Sequence, residues 1–357
     1  MIPMPGRDTP IWRDTERLQC VNVIPEAPDV KTFTFRPPSG SVFLFRAGQF
    51  MTLELPVPGG PVHRTYTISS SPISNAYVSI TVKAQPNSIG SRWMLEHLEP
   101  GMLLKAAGPA GVFTLPAQPD EKYLFISAGS GVTPMMSMVT TLFERGEEPD
   151  VAFIQVARRP IELIFRSRLE YMASRMDGLE LHFVVKSDDR YDAWTGYRGT
   201  FNQLMLGLMC PDYLERFVYC CGPEGFMGSV REILISLGFD MERYNQESFH
   251  APVKKEDDAP DYDDTVPDEH AKAEVVFTES GVSAEGTETD TVLQLAKNKG
   301  IAIPSGCTFG ICGTCIVKKL SGDVHMVHNG GITEEDIEDG YILACCSNPI
   351  GRVEVEI

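Results

Sequence analysis

The arrangement of apolar and polar residues divides the chain into three stretches with different rhythms. Residues 17–116 contain short segments in which apolar and polar side chains alternate, such as VKTFTF and AYVSITVKA, with Gly or Pro between them. Alternation is typical of strands with one buried face, so this stretch predicts an antiparallel β-barrel or sandwich. We assign residues 10–116 to this first domain.

Residues 117–249 follow a different pattern, in which continuous apolar runs alternate with helical stretches. The runs are YLFISA, VAFIQVA, LHFVVK and RFVYCCG, and the helical stretches include MMSMVTTLFERG and SRLEYMASRM. Fully apolar strands alternating with helices indicate βαβ units. The second domain is therefore predicted to be an α/β domain with a parallel sheet.

The third stretch begins with a charged segment at residues 250–272, which contains eight acidic residues, three basic residues and three prolines. Because it shows no apolar periodicity, we interpret it as a solvated, extended linker. Residues 273–357 then follow the order strand, helix, cysteine-rich loop, strand, which predicts a small α+β domain.

Charge and composition narrow the possible functions. The 357 residues carry a formal net charge of −18, and residues 250–357 contribute −13 from 8 basic and 21 acidic residues. Nucleic-acid binding is excluded because it needs clustered Lys and Arg. The N-terminus lacks a secretory apolar core, and glycines and Pro134 interrupt the uncharged run 125–143. We therefore expect a cytoplasmic protein without a membrane-spanning segment.

Four of the nine cysteines have a spacing that is typical of metal or iron–sulfur cluster ligands. The four are Cys307, Cys312, Cys315 and Cys345. Their C-x4-C-x2-C…C arrangement is that of a plant-type [2Fe–2S] cluster. A structural zinc site is the alternative, although zinc cysteines usually come in two closely spaced pairs. Cys346 is a second candidate for the fourth ligand. The segment YILACCSNP resembles the corresponding segment of plant-type ferredoxins, which implies Cys345 and a β-grasp fold for residues 273–357.

A flavin site is indicated by the sequence Arg64-Thr65-Tyr66-Thr67, which resembles the R-x-Y-[S/T] motif of the ferredoxin-NAD(P)H reductase superfamily. The resemblance implies that Tyr66 covers the flavin ring, Thr67 lies near its N5 atom and Arg64 binds phosphate. Taken alone, the four residues favour a half-buried tyrosine alternating on an ordinary strand.

The segment from Asn87 to Leu95 supports the flavin assignment because it predicts a loop that turns into a helix. Helix N-termini bind anions, and Gly90, Ser91 and Arg92 are the candidates for contacts with the flavin phosphates. The segment resembles the FAD-binding members of the superfamily, so FAD is expected, with FMN as the alternative.

A pyridine-nucleotide site is indicated by Ala-Gly-Ser-Gly-Val-Thr-Pro at residues 128–134, which follows an apolar strand and opens a helix. Glycines permit close approach of a pyrophosphate, and the third glycine of the dinucleotide fingerprint is absent here. G-x-G-x-T-P nevertheless resembles the superfamily motif. The candidates are Gly129, Gly131, Thr133 and Pro134.

Two further segments gain roles only from the resemblance. The turn Cys221-Gly222-Pro223 follows a strand, and the resemblance implies that it faces the nicotinamide. Glu247 and Phe249 resemble a terminal acid and aromatic pair beside the flavin, which implies proton transfer by Glu247 and covering of the ring by Phe249. Thr67, Cys221 and Glu247 are thus the catalytic candidates.

Nucleotide preference is sought in Arg158 and Arg159, which follow the second strand of the α/β domain. An arginine there binds a 2′-phosphate in some proteins, but relatives that use either nucleotide carry one. We expect Arg158 to contact the nucleotide. We also expect the coenzyme to be NADH rather than NADPH. A pair of ordinary surface arginines is the alternative.

The three motifs occur in order along nearly the whole chain, which resembles a ferredoxin-NAD(P)H reductase with a C-terminal ferredoxin fused to it. The segment DGYILACCSNPIGRVEVEI narrows the resemblance to reductase components of Rieske-type oxygenases, in particular those that demethylate glycine betaine. This implies electron transfer from NADH through FAD and the cluster to a terminal oxygenase. Alternatives are a reductase for a hybrid cluster protein or another oxygenase, and a redox sensor.

Overall fold

The computed structural model describes residues 10–13, 15–84, 88–116, 122–147, 150–188, 194–249, 267–268, 271–305, 310, 313–328 and 331–357. The chain separates into two compact units, one within residues 1–250 and one within residues 251–357, except that residues 63–65 group with the second. Most of the predicted linker, residues 250–272, lies outside the described residues.

The first unit begins with the predicted antiparallel barrel. Its elements are β1 (Leu18–Ala27), β2 (Val30–Arg36), β3 (Phe50–Leu55), β4 (Val62–Thr67), β5 (Val78–Lys83), α1 (Ile89–His97) and β6 (Leu103–Ala110). The strand order is β4-β3-β6-β1-β2-β5, and an antiparallel bridge between Ile68 and Ile80 joins the two edges. Alternation decides the faces: Phe33 and Phe35 of β2 point into the barrel core, and Thr32 lies on the other face.

The α/β domain completes the first unit. Its elements are β7 (Tyr123–Ala128), α2 (Val132–Arg145), β8 (Val151–Ala157), α3 (Arg166–Ala173), β9 (Leu179–Val185), β10 (Tyr197–Arg198), α4 (Gln203–Met209), β11 (Phe217–Cys221), α5 (Glu224–Ser236) and β12 (Tyr244–Glu247). The sheet order is β10-β9-β8-β7-β11-β12, and every pairing is parallel. The prediction of a parallel sheet is confirmed.

Both faces of this sheet are covered, which explains its continuous apolar strands. Phe125 and Tyr219 belong to the apolar cluster that includes α2 and α3, whereas Ile126 and Cys220 belong to the cluster that includes α4 and α5. Helix α2 begins three residues before the predicted MMSMVTTLFERG, and Gly146, with φ 64°, ends it in the left-handed conformation.

The second unit contains a five-stranded mixed sheet. Its elements are β13 (Lys272–Phe277), β14 (Val282–Thr287), α6 (Val292–Asn298), β15 (Ile316–Met326), α7 (Glu334–Glu338), β16 (Tyr341–Leu343) and β17 (Ser347–Glu356). The order is β14-β13-β17-β15-β16; β13 and β17 are parallel, and the other pairs are antiparallel. The predicted α+β domain is thus confirmed, with α7 as an element that the sequence pattern missed.

In the part of the chain that the structure describes, no helix has both the length and the apolar composition needed to span a bilayer.

Candidate functional site

A cleft of about 370 Å³ lies at the carboxyl edge of the parallel sheet. Its lining includes residues from the ends of neighbouring strands and the segments after them, among them Ala128, Gly129, Arg158, Lys186, Phe201 and Pro223. The chain runs outward from β7 to β10 and then returns to β11 on the other side of β7. Open α/β sheets bind nucleotides at such a reversal, so the cleft has the position of a dinucleotide site.

The glycine loop of this cleft packs against the Cys-Gly-Pro turn. A Cβ atom on Gly131 would overlap the carbonyl oxygen of Cys221, and one on Gly222 would lie 3.0 Å from the Phe226 ring. Gly129 has φ 57°, a conformation that favours glycine. At Gly131 the glycine is therefore required by contact with the protein itself, whereas the sequence suggested approach of a pyrophosphate.

Thr133 and Pro134 shape the start of α2 and do not line the cleft. Both are buried, and the Thr133 hydroxyl donates to the carbonyl oxygen of Ser130 at 3.0 Å. This bond ties the first turn of the helix to the glycine loop. Their contribution is thus to hold the helix N-terminus in place, where its backbone N–H groups favour an anion.

The two consecutive arginines have different environments. Arg158 lines the cleft, whereas the Nε atom of Arg159 pairs with Glu162 at 2.8 Å. The cleft receives two further cations that sequence analysis did not single out, Lys83 and Lys186. Lys186 follows β9, so the rule that selected Arg158 would also have found it. Lys83 belongs to the barrel strand β5, and no local pattern connects it with the nucleotide domain.

Cys221 and Glu247 end the neighbouring strands β11 and β12, where they are register partners. Burial raises the pKa of the Cys221 thiol well above its ordinary value, and the nearby Glu247 and Cys220 add to the rise. Cys221 therefore stays a neutral thiol, and Pro223 is the residue of its turn that lines the cleft.

Glu247 is 5% exposed, and burial raises its pKa from 4.5 to about 8, against the opposing effect of a hydrogen bond from Thr67. The Thr67 hydroxyl donates to Glu247 Oε2 over a long 3.5 Å. The structure thus brings together a barrel hydroxyl and a carboxyl group that is largely protonated at neutral pH. Phe249, two residues beyond Glu247, is 36% exposed.

The other flavin candidates of β4 are more open. Arg64 is exposed and its Nη1 atom donates to the carbonyl oxygen of His63 at 2.7 Å. Thr65 is half-buried, and Tyr66 is a half-buried side chain that packs against the barrel core. Tyr66 therefore has both support from the core and an accessible part, as a residue that covers an aromatic ring requires.

Helix α1 provides the expected start after a loop. Ser88 is its N-cap and its hydroxyl accepts from the Ser91 N–H, while Gly90 and Ser91 are buried. Arg92 pairs with Asp29 at 3.0 Å, so a phosphate at this helix would share the guanidinium with a carboxylate. The nine-residue helix suits an anion at its N-terminus because no acidic side chain occupies its first turn.

The cluster loop is described in part, because Cys307 and Cys312 lie outside the described residues. Cys315 and Cys345 are buried and adjacent, and the Cys345 N–H donates to Cys315 Sγ at 3.4 Å. Such N–H···S bonds are typical of cysteines that ligate iron–sulfur clusters. Burial of two thiols with a backbone donor on one sulfur fits a [2Fe–2S] cluster.

Two glycines let this loop pass close to its neighbours. Gly310 and Gly313 have φ 74° and 68°, and added Cβ atoms would lie 2.7 Å from Cys346 Sγ and 2.8 Å from the Gly331 carbonyl oxygen, respectively. Cys346 thus packs against Gly310, and its thiol donates to the carbonyl oxygen of Leu343 at 3.7 Å.

The fold and these sites define a class of protein, a flavin-dependent reductase that uses nicotinamide nucleotides and carries a [2Fe–2S] domain. Family models match the three parts in order. The oxidoreductase FAD-binding domain matches residues 18–115, the oxidoreductase NAD-binding domain matches residues 125–232, and the 2Fe-2S iron-sulfur cluster binding domain matches residues 276–349. The expected FAD-binding, NAD-binding and [2Fe–2S] domains are thus all present.

The chain belongs to the family of reductase subunits of oxygenase and demethylase systems. It is 59% identical to the stachydrine N-demethylase reductase subunit Stc4 of Rhizobium meliloti over 97% of both chains. It is 42% identical to the glycine betaine monooxygenase reductase subunit of Pseudomonas aeruginosa, over 98% of this chain and 97% of the relative. The solved structure of phthalate dioxygenase reductase has the same fold, with a TM-score of 0.62, 22% identity, and coverage of 97% of this chain and 100% of that one.

Proposed function

We propose that this protein is the reductase component of a cytoplasmic oxygenase system, in which NADH electrons pass through FAD and a [2Fe–2S] cluster to a terminal Rieske-type oxygenase that demethylates stachydrine or glycine betaine. The observation that carries the proposal is the full-length similarity to the reductase subunits of both systems. The higher identity with the first favours stachydrine as the substrate of the partner enzyme.

We assign FAD binding to residues 10–116, nucleotide binding to residues 117–249 and the cluster to residues 273–357, with residues 250–272 as the linker. Bound FAD would accept a hydride and release its electrons singly to the cluster, which carries one electron at a time. The side chains of Lys83, Arg158 and Lys186 supply positive charge for the nucleotide phosphates. Buried Glu247 holds a proton beside Thr67.

An anaerobic titration of the purified protein with NADH, and separately with NADPH, tests the electron path. We expect bleaching of the flavin absorbance together with a rhombic [2Fe–2S] signal in low-temperature electron paramagnetic resonance. Cys345→Ser should abolish that signal, whereas Cys346→Ser, the adjacent control, should retain it. A bleached flavin without any cluster signal in the wild type would contradict the proposal.

The partner is tested with two purified terminal oxygenases, one for stachydrine and one for glycine betaine. We expect substrate-dependent NADH consumption coupled to formaldehyde release with the stachydrine oxygenase. Fast reduction of cytochrome c with no turnover by either oxygenase would assign the reductase to a different acceptor.

A further inference from the structure

A chain of buried hydroxyl groups crosses the outer face of the barrel beside the nucleotide cleft. Ser69 Oγ lies 2.9 Å from Thr81 Oγ1, which lies 2.8 Å from Thr32 Oγ1. The Thr32 hydroxyl then donates to Glu26 Oε1 at 2.7 Å. The three hydroxyl residues are 3–5% exposed, whereas Glu26 is half-buried. The chain therefore runs from an interior position to a carboxylate that reaches the surface.

The location of these hydrogen-bonded hydroxyl groups connects them with the proposed function. Residues 67–69 are extended, with Ile68 N–H bonded to Gln49 and Ser69 N–H bonded to Ser79, so Thr67 and Ser69 point to the same side. Thr67 contacts Glu247. At the other strand, Lys83 lies two residues beyond Thr81 and lines the nucleotide cleft.

The donors in the chain can be assigned from Glu26. An ionised carboxylate only accepts, and each hydroxyl has a single proton to donate. Because Thr32 donates to Glu26, it must accept from Thr81, and Thr81 must then accept from Ser69. All three hydroxyls thus point toward Glu26. If Glu26 is protonated and donates to Thr32, the order reverses and Ser69 donates to the Ser79 carbonyl oxygen 3.2 Å away.

The proposed reaction creates a need for such a path. A hydride from NADH carries two electrons and one proton, whereas the cluster takes electrons alone. One proton per NADH is consequently left in the interior of the protein, where Thr67 and Glu247 are buried. This proton must reach solvent before the next turnover.

Resting on the function proposed above, we propose that Ser69, Thr81, Thr32 and Glu26 form a proton relay that connects the Thr67–Glu247 region with solvent. Glu247 gives up its proton through the Thr67 hydroxyl to Ser69, and Glu247 is protonated again by the proton that the reaction leaves behind. At Ser69, Thr81 and Thr32 one O–H bond forms and another breaks, so that one proton is placed on Glu26, which releases it to water. No electrons move along the relay, and its four residues are positioning and proton-carrying groups.

The strand register supplies a matched control. Thr34 and Ser79 are the next pair on the same face of β2 and β5, with their hydroxyls 2.9 Å apart, and they lie outside the relay. Thr81→Val removes the middle of the relay with little change in shape, and Glu26→Gln removes its end. Thr34→Val removes one hydroxyl of the neighbouring pair and leaves the relay intact.

The first experiment measures two steps in an anaerobic stopped-flow instrument. Flavin bleaching is followed with NADH alone, and flavin reoxidation and proton release are then followed with a pH-indicator dye after addition of ferricyanide, a one-electron acceptor. We expect the ratio of the proton-release rate to the reoxidation rate to fall at least about tenfold in Thr81→Val and Glu26→Gln, and to stay within about twofold in Thr34→Val. An unchanged ratio in Thr81→Val or Glu26→Gln would overturn the relay. Absence of bleaching in the wild type would instead overturn the proposed function.

A second experiment needs neither nucleotide nor electron transfer. Glu26 and Thr81 are connected through Thr32, so Glu26→Gln and Thr81→Val should be coupled in a double-mutant cycle of unfolding equilibrium constants. We expect the double mutant to depart from additivity by at least about twofold, and the pair Glu26→Gln with Thr34→Val to be additive. Additive behaviour of both pairs would show that the hydroxyl order is not set by Glu26, and would reject the relay.

Discussion

Glu247 is a carboxyl group in a place where a carboxylate is costly. Burial raises its pKa from 4.5 to about 8, so the folded protein retains a proton that the unfolded chain loses above about pH 4.5. Stability should therefore decrease as pH rises from 4.5 to 8, by up to about 1.4 kcal/mol per pH unit from this residue. Glu247→Gln should remove that part of the pH dependence.

The measurement is the free energy of unfolding in urea at several pH values for the wild type and Glu247→Gln. The difference between the two proteins should change steadily from pH 5 to pH 8. A constant difference over this range would mean that Glu247 titrates normally in the folded state.

A substitution at Gly131 can show whether glycine is needed there by the fold itself or only for binding a nucleotide. In Gly131→Ala the new methyl group would overlap the Cys221 carbonyl oxygen, so the loop must move and we expect a loss of about 1–3 kcal/mol in stability. Gly207→Ala in α4 is the control, because a methyl group there meets no atom within 4 Å and should stabilise the helix by about 0.5–1 kcal/mol. Thermal unfolding of both variants without nucleotide checks the prediction, and equal stability would contradict it.

At the level of elements, the buried Arg216 links several segments at the amino edge of the parallel sheet. The Arg216 side chain is 6% exposed, pairs with Asp212 and Asp150 at 2.7 Å each, and donates to the Tyr123 carbonyl oxygen. Burial would raise the pKa of Asp212, but bonds from Arg216 and Lys122 outweigh it and hold that pKa well below its ordinary value. Arg216 thus connects the starts of strands β7, β8 and β11.

Arg216→Met should cost about 1.5–3 kcal/mol, because the variant removes the charged hydrogen bonds of a buried guanidinium to partly exposed carboxylates that keep Lys122 as a partner. The exposed pair of Lys105 with Glu54, at 3.0 Å, is the comparison, and Lys105→Met should cost less than about 1 kcal/mol. Urea denaturation gives both values. A similar small loss in the two variants would show that the edge is held by packing alone.

The sequence pattern predicted elements well where their periodicity was strong. YLFISA and VAFIQVA coincide with β7 and β8, since a strand buried on both faces has to be continuously apolar. Helix α7 was missed because its five residues, EEDIE, are mostly polar and too short for a period. At the site, Lys83 could not be predicted because its role depends on packing between two domains.

At the scale of the whole molecule, the described apolar clusters separate by sequence. Three clusters lie between Trp12 and Tyr244, and the fourth lies within residues 275–357. Each part therefore has a core of its own, as an independently folding unit requires.

Truncation after Phe249 should consequently leave a folded protein that binds FAD and retains ferricyanide reduction by NADH within about twofold of the wild type. Cytochrome c reduction, which we expect to depend on the cluster, should fall at least about tenfold. Purification, flavin absorbance and the two rates check this. An insoluble or flavin-free product would show that residues 250–357 are needed for the first part to fold.

The cleft contains a residue from each of two domains, since Lys83 comes from the flavin barrel and Arg158 from the parallel sheet. Because the cleft is lined by both domains, exchanging one domain between relatives changes the cleft. A chimaera that joins this nucleotide domain to the barrel of a relative would inherit only part of the nucleotide-binding charge. The coenzyme affinity of such a chimaera should then depend on which relative supplied the barrel as well as on which supplied the nucleotide domain. The two domains therefore have to be exchanged together when coenzyme affinity is to be kept.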